Sequence, residues 1–470
     1  MARDYDILTI GLGPAGMAVS VMGSAMGLKV CAVEKHKIGG ECMNVGCIPS
    51  KALLRMAKTR AFTEKLEEME LEGLPSPGIK HPFERIQEKI TYINEKKTRR
   101  MFDKVDLILG EGEASFVDGR TVEAAGRRIT AKNFFVCAGT KPMMLPIPGV
   151  GDVDVLTNEN IFHLDTIPKS MIIIGGGAIG CEMAQAFQRL GCGVRIVQID
   201  PYLLPFGDPE AGHLLEKVFR EDGIEVYNGR HISRIARSDG GVVLETEEGD
   251  RLVADRLLMA AGRKPALESL RLDRAGVATT KRGITVNRHV RTNRRDIYAP
   301  GDCNGTYLLS HAAMHQGMAA LMNCMIPPPF RMNFRKYVVP WTVFTEPQVS
   351  FVGEHERALK NRGAKYEVTE MKYEDYGAAI AEGVGVGWVR ILASPAGRIY
   401  GVGVVGEGSG DMINQWGLAI QKKIRLHEVM LLQHSFPTMG YLNKMAAEQW
   451  MMGKMKSPRL QRMAKWMYRM

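Results

Sequence analysis

The chain has 470 residues, of which 45% are hydrophobic and 24% charged, the balance of a globular protein of about three domains. Its eight cysteines are too few and too scattered for a secreted disulfide framework. The formal net charge of +10 favours acidic partners in a general way. No zinc-finger spacing, RNA-binding signature or basic zipper helix accompanies it, so no nucleic-acid partner is expected.

The opening "MARDYDILTI" has no basic segment followed by an apolar one, so no signal peptide is visible and the chain reads as cytoplasmic. Residues 5–10, "YDILTI", have the continuous apolar, β-branched character of a buried parallel strand. Gly11, Gly13 and Gly16 follow in GxGxxG spacing, then a helical pattern to Met26 and a strand, "KVCAVEK", that carries Glu34 near its end. That glycine spacing, rather than a membrane span, explains the long apolar run after Ile10. Gly11 permits the tight turn, Gly13 lets the backbone approach a pyrophosphate, and Gly16 lets helix pack on strand. The helix N-terminus then faces phosphate, and Glu34 can accept hydrogen bonds from a ribose.

Next comes "GGECMNVGCIPSK", residues 39–51, with Cys42 and Cys47 five positions apart. Such a pair can be a structural staple, half of a metal site or a redox couple. A staple is odd in a reducing compartment, and a metal site needs further ligands. The redox couple fits best. "CIPSK" opens a helix, with Pro49 in its first turn, and a helix N-terminus favours the Cys47 thiolate. The other cysteines, Cys31, Cys137, Cys181, Cys192, Cys303 and Cys324, lack CxxC spacing and read as buried small residues. No metal site is expected.

The strand–glycine–helix–strand pattern recurs at "KSMIIIGGGAIGCEMAQAFQRLGCGVRIVQID", with Gly175, Gly177 and Gly180. Two such units imply two dinucleotides, an arrangement suited to handing electrons from one to the other. Gln198 stands where the first unit has Glu34, and "IDPYLLPF" offers no Arg or Lys for a 2′-phosphate, while Asp200 would repel one. NADH is therefore expected over NADPH.

Further along stand "CAGTKP" at 137–142, "AAGRKP" at 260–265, "IYAPGDC" at 297–303 and "SFPTMGY" at 435–441. Together with the glycine units and the cysteine segment, and in this order, they resemble the flavoprotein disulfide reductases, the family of dihydrolipoamide dehydrogenase, glutathione reductase and mercuric reductase. The resemblance reaches to about Glu448 and looks closest to the dihydrolipoamide dehydrogenase branch. It implies an α/β fold with two Rossmann-like dinucleotide-binding domains and a C-terminal α+β dimerisation domain. The boundaries it implies are an FAD domain at 1–150, an NAD(P) domain at 151–275, a central segment at 276–332 completing the FAD domain, and a dimerisation domain at 333–448. The strand-rich "KYVVPWTVFTEPQVSFVG" and "VGWVRILASPAGRIYGVGVVG" fit an antiparallel sheet there.

By match to the family, Gly11, Gly13, Gly16, Glu34, Lys51, Gly112, Gly139, Thr140, Asp302 and His311 would contact FAD. Gly175, Gly177, Gly180, Gln198 and Gly262 would contact the nicotinamide dinucleotide. Lys51 and Glu182 match the pair beside the flavin, and Ala178 replaces an aromatic gate of some relatives. The resemblance also implies a homodimer, with Cys47 against the flavin and Cys42 attacking substrate. One part of the family pattern is missing. Disulfide-reducing relatives carry a C-terminal His as acid/base with a Glu five residues later; here "HSFPTMGY" places Phe436 and Tyr441 at those positions. Tyr441 and His434 are the remaining candidates for the acid/base.

These features imply an FAD enzyme that passes electrons from NADH to Cys42–Cys47 and on to an acceptor that is not a simple small disulfide. A metal ion, a quinone, an activated persulfide or a lipoyl protein bringing its own base would serve. The rival expectation is an electron-delivery or binding subunit docked on a larger assembly without small-molecule turnover. It draws on the tail at 449–470, where Ser457 and Pro458 read as helix start and Leu460, Met463, Ala464, Met467 and Met470 share a face. Basic and amphipathic, that tail would fit an anionic membrane, an acidic partner or a packing site within its own dimer.

Overall fold

The computed structural model describes residues 3–470. The chain forms two compact units, residues 1–199 with 222–336, and residues 200–221 with 337–470.

The first unit is built on two parallel sheets of the same design. Strand β1 (Tyr5–Ile10) lies between β2 (Val30–Glu34) and β6 (Arg127–Val136), and β2 pairs in turn with β3 (Asp106–Leu109), all parallel. β5 (Thr121–Ala124) and β4 (Ser115–Phe116) extend the sheet antiparallel to the start of β6, and Ile297–Tyr298 joins β6 in parallel from far along the chain. All five residues of β2 are buried, as both-face coverage of a parallel sheet demands. Helix α1 (Pro14–Ala25) connects β1 to β2, one residue shorter than the expected end at Met26, which caps it.

The second sheet runs in the order Glu225–Tyr227, Gly193–Val197, Ser170–Ile174, Arg256–Met259, Val155–Leu156, again parallel throughout. The helix Ala178–Arg189 is its counterpart of α1. A three-stranded antiparallel sheet of Ile232–Ser238, Gly241–Thr246 and Arg251–Ala254 stands in the same unit. Both dinucleotide-type folds expected from the glycine spacing are present.

The second unit centres on a five-stranded antiparallel sheet ordered Trp341–Val343, Val349–Gly353, Ile399–Val405, Trp388–Ala393, Glu367–Lys372. The two segments expected to be strand-rich supply four of these five strands. Helices Ser409–Lys422 and Tyr441–Met455 bury Trp416 and Trp450 on the core beside Val402, Val404 and Ile391. Tyr441–Met455 runs without a break across residue 448, and the helix Pro458–Tyr468 follows. Ser457 is its N-cap with Pro458 at the first position, as expected, but the Ser457 side chain makes no capping hydrogen bond, and Met470 lies beyond the last helical residue. No helix among the described residues is long and apolar enough to cross a membrane.

Candidate functional site

The glycine loops of the two sheets repeat one geometry. A Cβ on Gly16 would fall on the Gly11 carbonyl oxygen, and a Cβ on Gly180 on that of Gly175. These two residues are glycine because helix and strand touch there. Gly13 and Gly177 are different: a Cβ on either would meet nothing within 4 Å, and their backbones (φ −67° and −80°) suit any residue. No protein atom requires glycine at either position, which fits a ligand that must lie against bare backbone at the helix N-terminus. Gly112 and Gly139 likewise border open space, at φ +106° and +66°. The residues present therefore fit two dinucleotides. We expect Gly13→Ala to fold with an unchanged melting temperature as apoprotein yet to lose FAD on gel filtration. Gly16→Ala should unfold the domain itself, which thermal melting of the apoprotein would separate from a pure binding defect.

Glu34 is buried, and its two carboxylate oxygens accept N–H bonds from Leu12 (2.7 Å) and His36 (2.9 Å). The carboxylate is thus anchored on the first glycine loop with lone pairs left to accept ribose hydroxyls. Gln198, in the second sheet, is buried as well, and its Nε2 donates to Asn228 at 2.7 Å. Its Oε1 is buried without a donor. Arg230, absent from the sequence reading, donates its backbone N–H to the Gln198 carbonyl, while its guanidinium is bound to Asp250 (2.6 Å) and to the Asn228 carbonyl (3.1 Å). Gly262, at φ +121°, accepts from the Met143 N–H through its carbonyl, and Ala178 opens its helix half-exposed.

The two cysteines sit on consecutive helices. Cys42 lies on the short helix α2 (Gly40–Asn44), and Cys47 is the first residue of α3 (Cys47–Thr63), with Gly46 as N-cap. Asn44 pins the turn between them, its Nδ2 donating to the carbonyls of Ile38 and Gly40 and its Oδ1 accepting from Asn94. Both sulfurs are free thiols in this structure, and each is the first influence on the other's pKa. They share a proton unequally: the bond from Cys42 lowers the Cys47 pKa, helped by the Ser310 hydroxyl 3.4 Å away and by the Lys51 charge, and opposed by burial. The same bond, with burial, pushes Cys42 up. Burial raises the other six thiols, Cys324 to about 11 and Cys31, Cys192 and Cys303 to about 12. Cys47 alone among the eight is poised as a thiolate. Its position at a helix start adds to this, but the neighbouring thiol is the first cause. Cys324 departs from expectation in being half-buried rather than buried.

Lys51, one turn along α3 from Cys47, donates to both carboxylate oxygens of Glu182 at 3.0 and 2.8 Å. Glu182 is buried on the helix Ala178–Arg189, which packs on α3, so the glycine loop of the second sheet and the cysteine helix share one ion pair. Asp302 begins a single helical turn after Gly301, and burial pushes its carboxyl up to about 6, against the pull of Arg263. Ser310 and His311 open the helix Ser310–Met325, with His311 exposed.

A second network was not foreseen. Arg263 donates to the Thr140 hydroxyl (2.8 Å) and carbonyl (3.0 Å), to Asn158 Oδ1 (3.2 Å) and to the Glu41 carboxylate. Asn158 donates to Glu41 and to the Val45 carbonyl. Arg263 follows Gly262, Glu41 precedes Cys42, and Thr140 follows Gly139, so one guanidinium ties both expected dinucleotide loops to the cysteine segment. Burial raises the Glu41 pKa, and the Arg263 charge opposes that rise. Arg263→Met should cost roughly 1.5–3 kcal/mol, the range for a charged hydrogen-bond partner removed from a mostly buried site. Denaturant unfolding measures it, and a change below ~0.5 kcal/mol would show the network to be solvent-screened.

In the second unit, His434 accepts at Nε2 from the Gln415 amide (2.8 Å) and donates from Nδ1 to the Leu432 carbonyl (3.3 Å). These roles are assigned because Gln415 Oε1 accepts from the Asn443 amide at 2.9 Å, which leaves the Gln415 NH2 to face the ring. Phe436 is 71% exposed, and its ring meets Tyr441 edge-on at 5.3 Å. Tyr441 in turn stacks on Tyr376, whose hydroxyl donates to the Thr438 carbonyl. The segment presents aromatic rings where a charged acid/base pair was sought. Among the described residues no group of three His, Cys, Asp or Glu side chains is placed to hold a metal.

Two dinucleotide-type sheets, a dithiol at a helix start and a Lys–Glu pair beside it define a flavoprotein disulfide reductase architecture. Residues 5–317 match the pyridine nucleotide-disulphide oxidoreductase family and 339–446 its dimerisation domain. The chain is 32% identical over 451 residues to dihydrolipoyl dehydrogenase of Thermus scotoductus, covering 93% of this chain and 95% of that one. It is 32% identical over 453 residues to mercuric reductase of Lysinibacillus sphaericus, covering 94% and 82%. Its fold is similar to that of the HOCl-induced flavoprotein disulfide reductase RclA from Escherichia coli, with a TM-score of 0.85, 23% identity and coverage of 94% and 99%. The chain belongs to the pyridine nucleotide-disulphide oxidoreductase family.

Proposed function

We propose that the protein draws electrons from NADH and delivers them, by way of FAD and the Cys42–Cys47 pair, to an acceptor other than a simple small disulfide. FAD, when bound, supplies the two-electron relay. Lys51 and Glu182 would hold charge beside it, Cys47 would supply the thiolate toward it, and Cys42 would keep the proton and meet the acceptor. The observation that carries the restriction on the acceptor is the C-terminal segment. Phe436 and Tyr441 stand at the acid/base positions, and both ring nitrogens of His434 are engaged. A positioned acid/base is worth about 10²–10⁴-fold, and a phenol hydroxyl can donate a hydrogen bond but is a poor base at neutral pH. Acceptors that need no such group fit: a soft metal ion taken by two thiolates, a quinone, an activated persulfide, or a protein-borne lipoyl group with its own base. Anaerobic reduction with NADH, followed by reoxidation with each class in turn, selects among them. Rapid reoxidation by glutathione disulfide would refute the proposal.

NADH over NADPH is supported by the environment of Gln198. Gln198 carries no charge for a 2′-phosphate, and Arg230 is already committed to Asp250. Flavin reduction in stopped flow should be faster with NADH than with NADPH at equal concentration; the opposite order would reassign Arg230 as a phosphate ligand. A homodimer is the assembly we propose for residues 339–446. A second reading, an electron-delivery subunit docked on a partner, is favoured by the exposure of the helix Pro458–Tyr468.

A further inference from the structure

We infer that the helix Pro458–Tyr468 lies flat on an anionic lipid surface and holds the protein at the membrane. This names the partner of the docked reading and does not depend on which acceptor the cysteines serve.

Residues 449–470 contain six Lys or Arg and no Asp or Glu. The preceding helix uses its share inside the fold: Lys454 and the indole of buried Trp450 both bond Glu367. The final helix does not. It has no buried residue, and every position from 458 to 470 is exposed, Trp466 at 62% and Met467 at 54%. Among the described residues no ion pair involves Arg459, Arg462, Lys465 or Arg469, and Arg462 bonds only the Pro458 carbonyl of its own helix.

At 3.6 residues per turn, Leu460, Met463, Ala464 and Met467 form one stripe, and Arg462 and Lys465 stand opposite. Arg459 borders the stripe on one side, with Trp466 next to it toward the cationic face, and Tyr468 borders it on the other, beside Gln461. An apolar stripe bordered by Arg459 and Tyr468, with Trp466, Arg462 and Lys465 further round, has the form of an amphipathic helix at a bilayer interface: apolar side toward the acyl chains, cations at the anionic headgroups. The unbranched methionines adapt to a surface without fixed shape, as acyl chains present. Charge complementarity, with six basic and no acidic residues at 449–470, therefore selects an anionic lipid surface.

The test uses the full-length holoprotein, sedimented with vesicles of phosphatidylcholine alone or mixed with phosphatidylglycerol. Binding is expected only to the mixed vesicles, falling as salt is raised. R462E/K465E should weaken it by at least ~10-fold, given the roughly fivefold that one basic side chain contributes at such a surface. The same variant should keep its flavin and its reduction by NADH, so that failure to bind vesicles is separable from failure of the redox reading. The Trp466 emission should shift to the blue on binding, judged against W466F. No binding to the anionic vesicles, or equal binding by R462E/K465E, overturns the inference. So does conversion of L460S/M463S/M467S to a smaller species by light scattering, which would make the stripe a subunit seam.

Discussion

Replacing Cys47 with serine is expected to abolish the long-wavelength absorbance that a thiolate gives against the flavin in two-electron-reduced protein, while Cys42→Ser leaves an absorbance of that kind in place. The asymmetry rests on the pair's shared proton. The hydrogen bond from Cys42 comes first in lowering the Cys47 pKa, and Ser310 and Lys51 add to it. Cys42 is pushed the other way and keeps its proton. The sign of the pH dependence follows. A depressed pKa means the thiolate survives below the ordinary thiol range and is lost only as pH falls through the depressed value. Cys42→Ala, which removes the largest lowering cause, should move that titration to higher pH. Anaerobic titration of the absorbance reads all three proteins. If the band survives in Cys47→Ser, the flavin-side sulfur has been misassigned.

The second large effect concerns the aromatic segment. Phe436→His with Tyr441→Glu should raise lipoamide reduction by ~10-fold or more, toward the 10²–10⁴ that a positioned base supplies. Phe436 is mostly exposed, so an imidazole fits in its place. Tyr441 is the first residue of its helix, where a carboxylate is favoured by the helix dipole and can orient the imidazole. The single Phe436→His change should achieve less. His434→Ala should alter lipoamide turnover little, because its nitrogens serve Gln415 and the Leu432 carbonyl. Steady-state kinetics with lipoamide decides. If the unmodified protein already turns over lipoamide at ordinary enzymatic rates and His434→Ala removes that activity, His434 is the base.

The fold was legible wherever local pattern and tertiary demand coincide. "YDILTI" and "SMIII" are continuous apolar runs because both faces of a parallel sheet are covered, and the burial of β1 and of Ser170–Ile174 follows that pattern. The glycine spacing announced the turns because only glycine tolerates the contact of Gly16 with Gly11 and of Gly180 with Gly175. The Arg263 network was not legible, because it joins Glu41 to a residue 222 positions away and such pairing leaves no periodic trace. A signal existed: Glu41 is a lone charge between Gly40 and Cys42, and a carboxylate placed there needs a cation. Gln198 was matched to the nicotinamide dinucleotide, and its Nε2 is held by Asn228, a partner 30 residues on that no spacing rule reveals. The thiolate at Cys47 was traced in the sequence to a helix start; the structure adds the neighbouring thiol, the Ser310 hydroxyl and the Lys51 charge.

The most direct measurement mixes NADH-reduced protein, free of oxygen, with lipoamide and follows reoxidation of the flavin. Reduction by NADH should be complete and fast, and reoxidation by lipoamide slower than reduction by at least ~10-fold, for want of the base that the family resemblance implies at position 436. Reoxidation as fast as reduction would contradict the account.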